Sequence, residues 1–461
     1  MARVLNIHVP ASLLALAALD VVILFASIVI GLLFSYVDIT SLFHSHLDVL
    51  TKEVVFVGVV LLMMFSMGLY QRQYLSDAFY LLTRLVVALG LAFVVLTVLF
   101  YLIPYTRIWI SALIPSMILA AVGCVASRAL FLRLAVLSSF KQRILVLGTG
   151  RQAERIETLE RNSVPSRFFC VGFMELGQTS DMVTTSRVVR GSDVVALCER
   201  GKVDAVVLAL DERRGVLPIE SLLSLRLKGT RVLDISTFLE QQMGRLEIDS
   251  MRPSWLALSD VGPRGRIERA AKRTFDIVIA LALLIATLPL TISAVLAICA
   301  ENRGPIFYRQ ERVGLAGRSF RLLKFRSMEV DAERDGVARW AAVNDPRVTT
   351  VGGIIRKLRI DEIPQVYNVL RGEMSFVGPR PERPSIVNQL AKDIPFYQYR
   401  HSVKPGITGW AQINYPYGAS VQDAIEKLKY DLYYIKNHSL FLDVVILAQT
   451  LRVVVWPRGA R

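Results

Sequence analysis

Cysteine is scarce in this sequence and never occurs in a close pair. The 461 residues contain four cysteines, far apart and without a C-x-x-C motif: Cys124, Cys170, Cys198 and Cys299. This spacing excludes the common zinc and dithiol patterns and favours a reducing, cytosolic environment. A G-x-x-x-x-G-K-[ST] motif is also missing, which excludes a P-loop ATP site.

Acidic residues are too few to balance the basic ones. The sequence has 39 Asp and Glu against 54 Lys and Arg, a net charge of +15, and 53% of its residues are hydrophobic. That share exceeds the roughly 45 to 50% that is typical of soluble domains. The combination predicts a membrane protein whose partners are the lipid bilayer and phosphorylated substrates, and not nucleic acid.

Long apolar runs are concentrated at the start of the chain. Four of them are long enough to cross a bilayer: Ala11 to Tyr36, Val54 to Tyr70, Leu82 to Leu102 and Trp109 to Leu137. The first lacks a small-residue cleavage pattern, so we expect it to be retained and not removed as a signal peptide. Residues 1–140 are therefore predicted to form a four-helix transmembrane bundle.

The charges around these runs predict their orientation. Basic residues collect after the second run and at the end of the fourth, whereas the first and third loops hold only Lys52 and Arg107. By the positive-inside rule both ends of the bundle face the cytoplasm. Charged residues within the runs are few, which disfavours a transporter or flippase. Asp20, near one end of its run, is expected to be structural.

Residues 141–263 have the pattern of a Rossmann-like α/β domain. The stretch RILVLGTGRQA combines a strand, a glycine turn and a helix start, while VDAVVLAL and RVLDIS indicate further buried strands. Gly148, Gly150 and Ala153 match G-x-G-x-x-A, so a nucleotide could bind at Gly148 and Gly150. The acidic residue expected about 20 positions later is missing, since Glu175 comes too late. We favour a structural or regulatory domain, and keep a dinucleotide-binding membrane sensor or redox protein as the alternative function.

The third segment, residues 264–461, opens with another apolar stretch at about residues 275–300. A spanning helix is the simplest interpretation, but basic residues flank the stretch on both sides and favour the cytoplasm for both flanks. Pro289 lies near the middle, where it removes a backbone donor and bends a helix. We predict a re-entrant membrane helix that breaks at Pro289 and returns to the cytoplasmic side.

Two neighbouring carboxylates, Asp361 and Glu362, stand at a predicted helix start whose first turn contains Pro364. Acidic residues at such a position commonly complement the helix dipole. The surrounding cations point to more than capping, since arginine binds phosphate oxygens through two N–H groups at once. The nearby cationic residues are Lys324, Arg326, Arg356, Lys357, Arg359, Arg380 and Arg383.

A carboxylate that faces a phosphate-rich substrate suggests phosphoryl transfer. Asp can act as the nucleophile in such chemistry and form an acyl phosphate. A hard, oxygen-rich site with Asp361 and Glu362 suits Mg²⁺, which would neutralise a pyrophosphate.

From about Arg269 to Trp456 the sequence resembles the bacterial sugar transferases, the monotopic phosphoglycosyl transferases. The motifs that carry the resemblance are FDIVIALALLIATLPL, GPIFYRQERVGLAGRSFRLLKFRSM, NDPRVTTVGGIIRKLRIDEIPQVYNVLRGEMSFVGPRPE and KPGITGWAQIN. Together with the preceding bundle and α/β domain, they resemble the long members that transfer hexose phosphate to a polyprenyl phosphate at the start of exopolysaccharide or O-antigen assembly.

The resemblance implies roles for individual residues. Asp361 would attack the β-phosphate of a UDP-sugar, release UMP and hold the phosphosugar until undecaprenyl phosphate collects it. Glu362 would assist as a base or through Mg²⁺. Lys324, Arg356 and Arg380 match phosphate-contacting positions of the family, and the helix around Pro289 matches its membrane anchor.

The sequence departs from the commonest family pattern after WAQIN, where many members continue with Gly-Arg-Gly and this chain has YPYGAS. The form is similar to the subgroup associated with exosortase and exopolysaccharide gene sets, with glucose or galactose as the expected sugar. The expected fold is a membrane protein, α plus α/β: a transmembrane bundle, a Rossmann-like domain that could form a homodimer, and an α/β-type catalytic domain with a re-entrant helix. Its active site would lie on the cytoplasmic face of the bacterial inner membrane.

Overall fold

The computed structural model describes most of the chain, and the predicted domain boundary at residues 263 and 264 lies outside the described part. The described residues are 2–4, 7–9, 11–35, 46–70, 78–135, 141–162, 168–176, 182–184, 187–190, 193–211, 217–248, 265–301, 304–329, 346–416, 418 and 420–455. The chain divides into two compact units. The first comprises Met1–Ala2, His8–Met64 and Gly68–Ser250, and the second comprises Arg3–Ile7, Phe65–Met67 and Met251–Arg461.

The N-terminal part is helical after two short paired strands, β1 (Ala2–Val4) and β2 (Ile7–Val9). Its helices are α1 (Ala11–Ser35), α2 (His46–Ser66), α3 (Ala78–Leu102) and α4 (Ile110–Ala135). They follow the four predicted apolar runs, although the second run was predicted to continue to Tyr70 and its helix ends at Ser66. Tyr36 and Leu137, the predicted ends of the first and fourth runs, lie outside the described residues.

Four helices in the described part of the chain are long and apolar enough to cross a membrane. They contain the segments Leu13–Phe34, Leu81–Leu102, Ile110–Phe131 and Arg266–Glu301. Three coincide with predicted spans, and the fourth contains the stretch predicted to be re-entrant. The protein therefore has the helices of a membrane protein.

Asp20 of α1 lies in a buried polar cluster with residues from α4. Its Oδ1 accepts hydrogen bonds from Arg128 Nη1 and, at 3.1 Å, from Ser127 Oγ, and its Oδ2 accepts one from Tyr70 Oη at 2.8 Å. Asp20 and Arg128 are both almost fully buried. A lone charge among apolar helices is costly, so the pairing fits the structural role expected of Asp20.

The segment after the bundle forms one parallel sheet with helices between its strands. The strands are β3 (Gln142–Leu147), β4 (Phe168–Met174), β5 (Val188–Val189), β6 (Ala205–Leu208) and β7 (Arg231–Asp234). They pair in the order β5-β4-β3-β6-β7. The helices between the strands are α5 (Arg151–Asn162), α6 (Val194–Arg200) and α7 (Ile219–Leu227), and α8 (Ile235–Met243) follows β7. Apolar cores lie on both sheet faces, which explains why the strands are almost continuously hydrophobic. The three strands predicted from sequence are β3, β6 and β7.

The C-terminal unit begins with α9 (Arg266–Glu301), a helix of 36 residues that continues through Pro289. An antiparallel hairpin follows, β8 (Phe307–Val313) with β9 (Ser319–Phe325). The later elements are α10 (Thr350–Lys357), α11 (Gln365–Arg371), β10 (Ser375–Val377), α12 (Pro384–Asp393), β11 (Gly406–Thr408), α13 (Trp410–Asn414), α14 (Val421–Lys436) and α15 (Leu440–Val455). Strands β10 and β11 are parallel.

A buried ionic cluster joins the start of α9 to α15 and β10. Lys272 Nζ lies 3.0 Å from Asp276 Oδ1 and 2.9 Å from Asp443 Oδ2. Asp276 Oδ1 also accepts hydrogen bonds from Ser375 Oγ and from the backbone N–H of Phe376, each at 3.0 Å. Because removing one partner of a buried pair leaves an uncompensated charge, this cluster holds α15 and β10 firmly against the start of α9.

Candidate active site

The Asp361–Glu362 dyad lies in a short 3₁₀ turn, Ile360–Glu362, between α10 and α11. Arg359 precedes it with a left-handed φ of 59°, a conformation that costs a non-glycine residue about 1 to 3 kcal/mol and often occurs at functional sites. The sequence placed the dyad at a helix start, but α11 begins only at Gln365, and no side chain caps it. Ordinary helix capping therefore does not explain the two carboxylates.

Glu362 is held by cations. Its Oε1 lies 2.7 Å from Arg380 Nη2, 3.0 Å from Lys324 Nζ and 3.8 Å from Arg359 Nη1. Burial alone would raise the pKa of this carboxyl, but the charges of Arg380 and Lys324 outweigh that effect and hold the pKa well below its usual range. Glu362 is therefore ionised at neutral pH.

Asp361 has a different environment, although it is the next residue. It is 7% exposed, and its nearest described cation is Lys324, with Nζ 3.9 Å from Oδ2. Among the described residues, no donor forms a hydrogen bond with its carboxylate. Burial raises the pKa of Asp361, the charge of Glu362 raises it further, and Lys324, Arg356 and Arg380 oppose the shift. The result is a desolvated and poorly neutralised carboxylate, which is the state expected of a nucleophile.

The loop that carries Arg380 is stabilised by residues that were not predicted from the sequence. Arg400 Nη2 donates to the backbone oxygen of Arg380 at 2.9 Å and lies 3.0 Å from Asp431 Oδ2. Arg400 Nη1 also donates to Tyr397 Oη at 2.7 Å. These residues come from different elements, and no local motif joins Arg400 to Asp431 in the sequence.

The predicted phosphate-binding residues do not all reach the dyad. Lys324, at the end of β9, and Arg380 contact it directly, and Arg356, in the last turn of α10, acts on Asp361 through its charge. Arg326 lies buried two residues beyond Lys324, and Arg383 stands at the N-terminus of α12. Arg359, another of the cations that the sequence places beside the dyad, joins them at Glu362.

The donor set of the dyad is compatible with a magnesium ion supplied together with substrate phosphates. Within the described residues there is no group of three or more His, Cys, Asp and Glu side chains that could hold a metal alone. Mg²⁺ needs fewer protein ligands, because it usually keeps waters and binds one or two carboxylates plus substrate phosphates. Asp361 and Glu362 are the two carboxylates that would hold such an ion, and Asp361 lacks a hydrogen-bond donor in the described part of the chain.

The Gly148 turn, the second predicted site, is closed by the chain itself. Asp211 Oδ2 accepts a hydrogen bond from the backbone N–H of Arg151, the first residue of α5, at 3.1 Å. A Cβ on Gly150 would collide with this carboxylate, and one on Gly148 would collide with the carbonyl oxygen of Ala209. In dinucleotide-binding domains the pyrophosphate lies at this helix N-terminus. Here a side-chain carboxylate lies there instead.

Comparison with known proteins gives a consistent result. The family model described as bacterial sugar transferase matches residues 267–457. A UDP-N-acetylgalactosamine-undecaprenyl-phosphate N-acetylgalactosaminephosphotransferase of Aeromonas hydrophila is 44% identical over 50% of this chain and 53% of its own length. An undecaprenyl-phosphate glucose phosphotransferase of Komagataeibacter xylinus is 34% identical over 69% of this chain and 60% of its own length.

The chain thus spans little more than half of the length of these two relatives. A shorter relative is covered more fully: a putative undecaprenyl-phosphate N-acetylgalactosaminyl 1-phosphate transferase of Bacillus subtilis (strain 168) is 50% identical over 28% of this chain and 73% of its own length. The match to the family model contains the dyad and its cations, as the sequence motifs predicted. The chain belongs to the bacterial sugar transferase family.

Proposed function

We propose that this protein transfers a sugar 1-phosphate from a UDP-sugar to undecaprenyl phosphate, giving undecaprenyl-diphosphate-sugar and UMP. The observation that carries the proposal is the contrast within the dyad: Glu362 is neutralised by Arg380 and Lys324, whereas Asp361 is buried and has little neutralisation. The names of the relatives, which act on undecaprenyl phosphate, support the same reaction. It would be the first membrane step of exopolysaccharide or O-antigen assembly.

In the first step the Asp361 carboxylate attacks the β-phosphorus of the UDP-sugar. A bond forms between the carboxylate oxygen and phosphorus, and the bond from that phosphorus to the bridging oxygen breaks, so that UMP leaves with the electron pair. The sugar phosphate is then held as an acyl phosphate on Asp361. Lys324, Arg356 and Arg380 are placed to neutralise the phosphoryl oxygens, which is the main contribution a protein makes to phosphoryl transfer.

In the second step an oxygen of undecaprenyl phosphate attacks the same phosphorus. The acyl phosphate bond breaks, the Asp361 carboxylate is regenerated, and a new pyrophosphate bond joins lipid and sugar. One pyrophosphate bond is broken and one is formed, so the reaction needs no ATP, in accord with the missing P-loop motif. The two substrates use one set of cations in turn.

Mg²⁺ would be held by Asp361 and Glu362 together with substrate phosphates. When bound, it supplies positive charge to the pyrophosphate and the leaving group. Arg326 and Arg383 complete the proposed substrate-binding set.

The membrane helices fit this chemistry, because one substrate has its phosphate at the lipid surface and the other is cytosolic. We infer that α9 is the re-entrant anchor: Ile285 and Leu288 are exposed on it beside Pro289, and the helix begins with a segment that contains the basic residues Arg266, Arg269, Lys272 and Arg273. The sheet order β5-β4-β3-β6-β7 supports a Rossmann-like domain between bundle and anchor. The site would then lie on the cytoplasmic face of the inner membrane.

The test is UMP release from purified, detergent-solubilised protein with undecaprenyl phosphate, Mg²⁺ and one UDP-sugar at a time. Glucose, galactose and N-acetylgalactosamine donors are compared, since the relatives named above differ in their sugar. We expect release with one donor, lost in Asp361→Asn and after chelation. Equal release by Asp361→Asn would exclude Asp361 as the nucleophile, and no release with any donor would reject the reaction.

A further inference from the structure

A second group of charged side chains surrounds Glu382, two residues after Arg380 in the same loop. Glu382 Oε2 lies 3.7 Å from Arg312 Nη1, and the backbone oxygen of Glu382 accepts a hydrogen bond from Val313 N–H at 3.0 Å. The end of β8 is therefore fixed against this loop. The Arg312 Nε–H is buried and has no hydrogen-bond partner within the described residues.

Lys427, in the second turn of α14, is a further cation whose charge interacts with Glu382. Its Nζ donates to the backbone oxygen of Gly418 at 2.7 Å, and the charges that act on it include those of Glu382, Arg400 and Arg380. Burial lowers the pKa of both Lys427 and Arg312, and the neighbouring arginines lower it further. Such shifts indicate cations that are desolvated and crowded by like charge.

Positive charge exceeds negative charge around the dyad and Glu382. Among the described residues, eight cations and five carboxylates take part in the electrostatic interactions of these two groups. The cations are Arg312, Lys324, Arg356, Arg359, Arg380, Arg383, Arg400 and Lys427, and the carboxylates are Asp361, Glu362, Glu382, Asp423 and Asp431. A partly buried cluster that is rich in cations attracts an anion.

Arg380 connects the two groups. Its guanidinium contacts Glu362, and its charge also acts on Arg312 and Lys427. A diphosphate that puts its β-phosphorus at Asp361 must place its α-phosphate next to it, within reach of cations adjoining Arg380. The group around Glu382 adjoins Arg380, because Glu382 is two residues from it and the charge of Arg380 acts on both Arg312 and Lys427.

We propose that Arg312 and Lys427 form a nucleotide-phosphate subsite, which binds the α-phosphate of the UDP-sugar and holds UMP as it leaves. Before the nucleotide arrives, Glu382 pairs with Arg312, and Lys427 is held by the backbone oxygen of Gly418. This subsite rests on the proposed function, since it assigns the leaving group of that reaction.

The experiment measures equilibrium binding of UMP and of uridine to the full-length protein in detergent. Arg312→Gln and Lys427→Gln are each expected to weaken UMP binding about tenfold or more, because each loses a charge-assisted hydrogen bond to phosphate. Uridine has no phosphate, so the affinity of both Gln variants for uridine is expected to stay within twofold of the wild-type value. Lys427→Arg keeps the charge and should restore most of the UMP affinity, and Lys436→Gln, on the same helix, should change neither ligand.

Unchanged UMP affinity in both Gln variants would overturn the subsite, and so would equal losses for UMP and uridine. A change confined to the KM for undecaprenyl phosphate would assign the cations to the lipid phosphate and also overturn it. Binding needs no turnover, so the two proposals can fail separately. If the Gln variants lose affinity for UMP but not for uridine, and the wild type releases no UMP from any UDP-sugar, only the reaction is rejected. If the wild type releases UMP normally and the Gln variants keep their UMP affinity, only the subsite is rejected.

Discussion

Two turns of this chain place a carboxylate beside the start of a helix, and they differ in their charge balance. At the Gly148 turn, Asp211 accepts a hydrogen bond from the first N–H of α5, so the carboxylate and the helix terminus satisfy each other. At the dyad, Glu362 is occupied by Arg380 and Lys324, while Asp361 has no hydrogen-bond donor among the described residues and cations remain in excess. We therefore expect an anion to bind at the second turn and not at the first.

The difference shows that a motif for phosphate binding is not yet a phosphate site. The G-x-G-x-x-A pattern supplies the backbone geometry of a dinucleotide turn, but a side chain 60 residues later takes the place of the ligand. The dyad has no glycine motif, yet its surroundings leave positive charge uncompensated. We expect the balance of charge around the carboxylate, and not the local pattern, to determine which turn binds a phosphate.

The largest expected effect comes from changing the charge balance at the dyad. Arg380→Gln leaves Glu362 with one cation fewer and should reduce UMP release by about 10² to 10³-fold, as for loss of one electrostatic stabiliser. Arg380→Lys should recover only part of the lost rate, since the lysine ammonium group cannot donate the two parallel hydrogen bonds of a guanidinium. Arg371→Gln, whose side chain contacts Glu373, is the matched control and should stay within twofold. Equal rates for Arg380→Gln and the control would remove Arg380 from the site.

A substitution at the Gly148 turn should lower the stability of the α/β domain and leave UMP release unchanged. Gly148 has a φ of 122°, and a Cβ there would meet Ala209, so Gly148→Ala should destabilise the sheet by about 2 to 4 kcal/mol. Gly229→Ala is the control, because its φ of 90° is also positive but no atom lies within 4 Å of its Cβ. Hydrogen exchange of β3 and β6 in the full-length protein measures the difference. Equal exchange in both variants would contradict the close approach at Gly148.

The pH dependence of UMP release should separate the two carboxylates of the dyad. The pKa of Asp361 is raised, so its nucleophilic carboxylate form is lost as pH falls through that pKa, and the rate should fall about tenfold per pH unit below it. The pKa of Glu362 is lowered, so Glu362 stays ionised over the same range.

Glu362→Gln removes a negative charge beside Asp361 and frees Lys324 and Arg380 to face it. The acidic limb of the pH–rate profile should therefore move to lower pH in this variant, whatever its maximal rate. Glu373→Gln, outside the dyad, should leave the limb in place. A shift of the acidic limb to higher pH in Glu362→Gln would contradict the assigned environment of Asp361.

The smallest effect is expected for the carboxylate that closes the Gly148 turn. Asp211→Ala should cost about 1 kcal/mol, as for loss of a helix cap, with UMP release within twofold of the wild type. Asp211→Asn keeps an acceptor oxygen and should cost less. Hydrogen exchange of α5 measures both. Dinucleotide binding by Asp211→Ala but not by the wild type would mean that the turn is a nucleotide site blocked by Asp211.

Local patterns were sufficient for much of the fold. The apolar runs predicted α1 to α4, the alternation of buried strands and a glycine turn predicted β3 and the start of α5, and the dense basic residues predicted Lys324 and Arg380 at the dyad. These predictions succeeded because membrane helices, buried parallel strands and short loops are specified by residues close together in the chain. The end of α2 and the exact start of α11 were missed, since helix ends depend on a few weak contacts.

The sequence by itself determined a membrane protein of this family with a pair of carboxylates among cations. Only the tertiary structure decided which carboxylate is neutralised and that Asp211 accepts a hydrogen bond at the Gly148 turn. It also decided that other charged residues interact with the loop that carries Arg380: Arg312, Arg400, Lys427 and Asp431. These residues belong to elements separated by tens of positions, and no periodicity links them. Electrostatic interaction depends on distance and burial, which the chain acquires only when it folds.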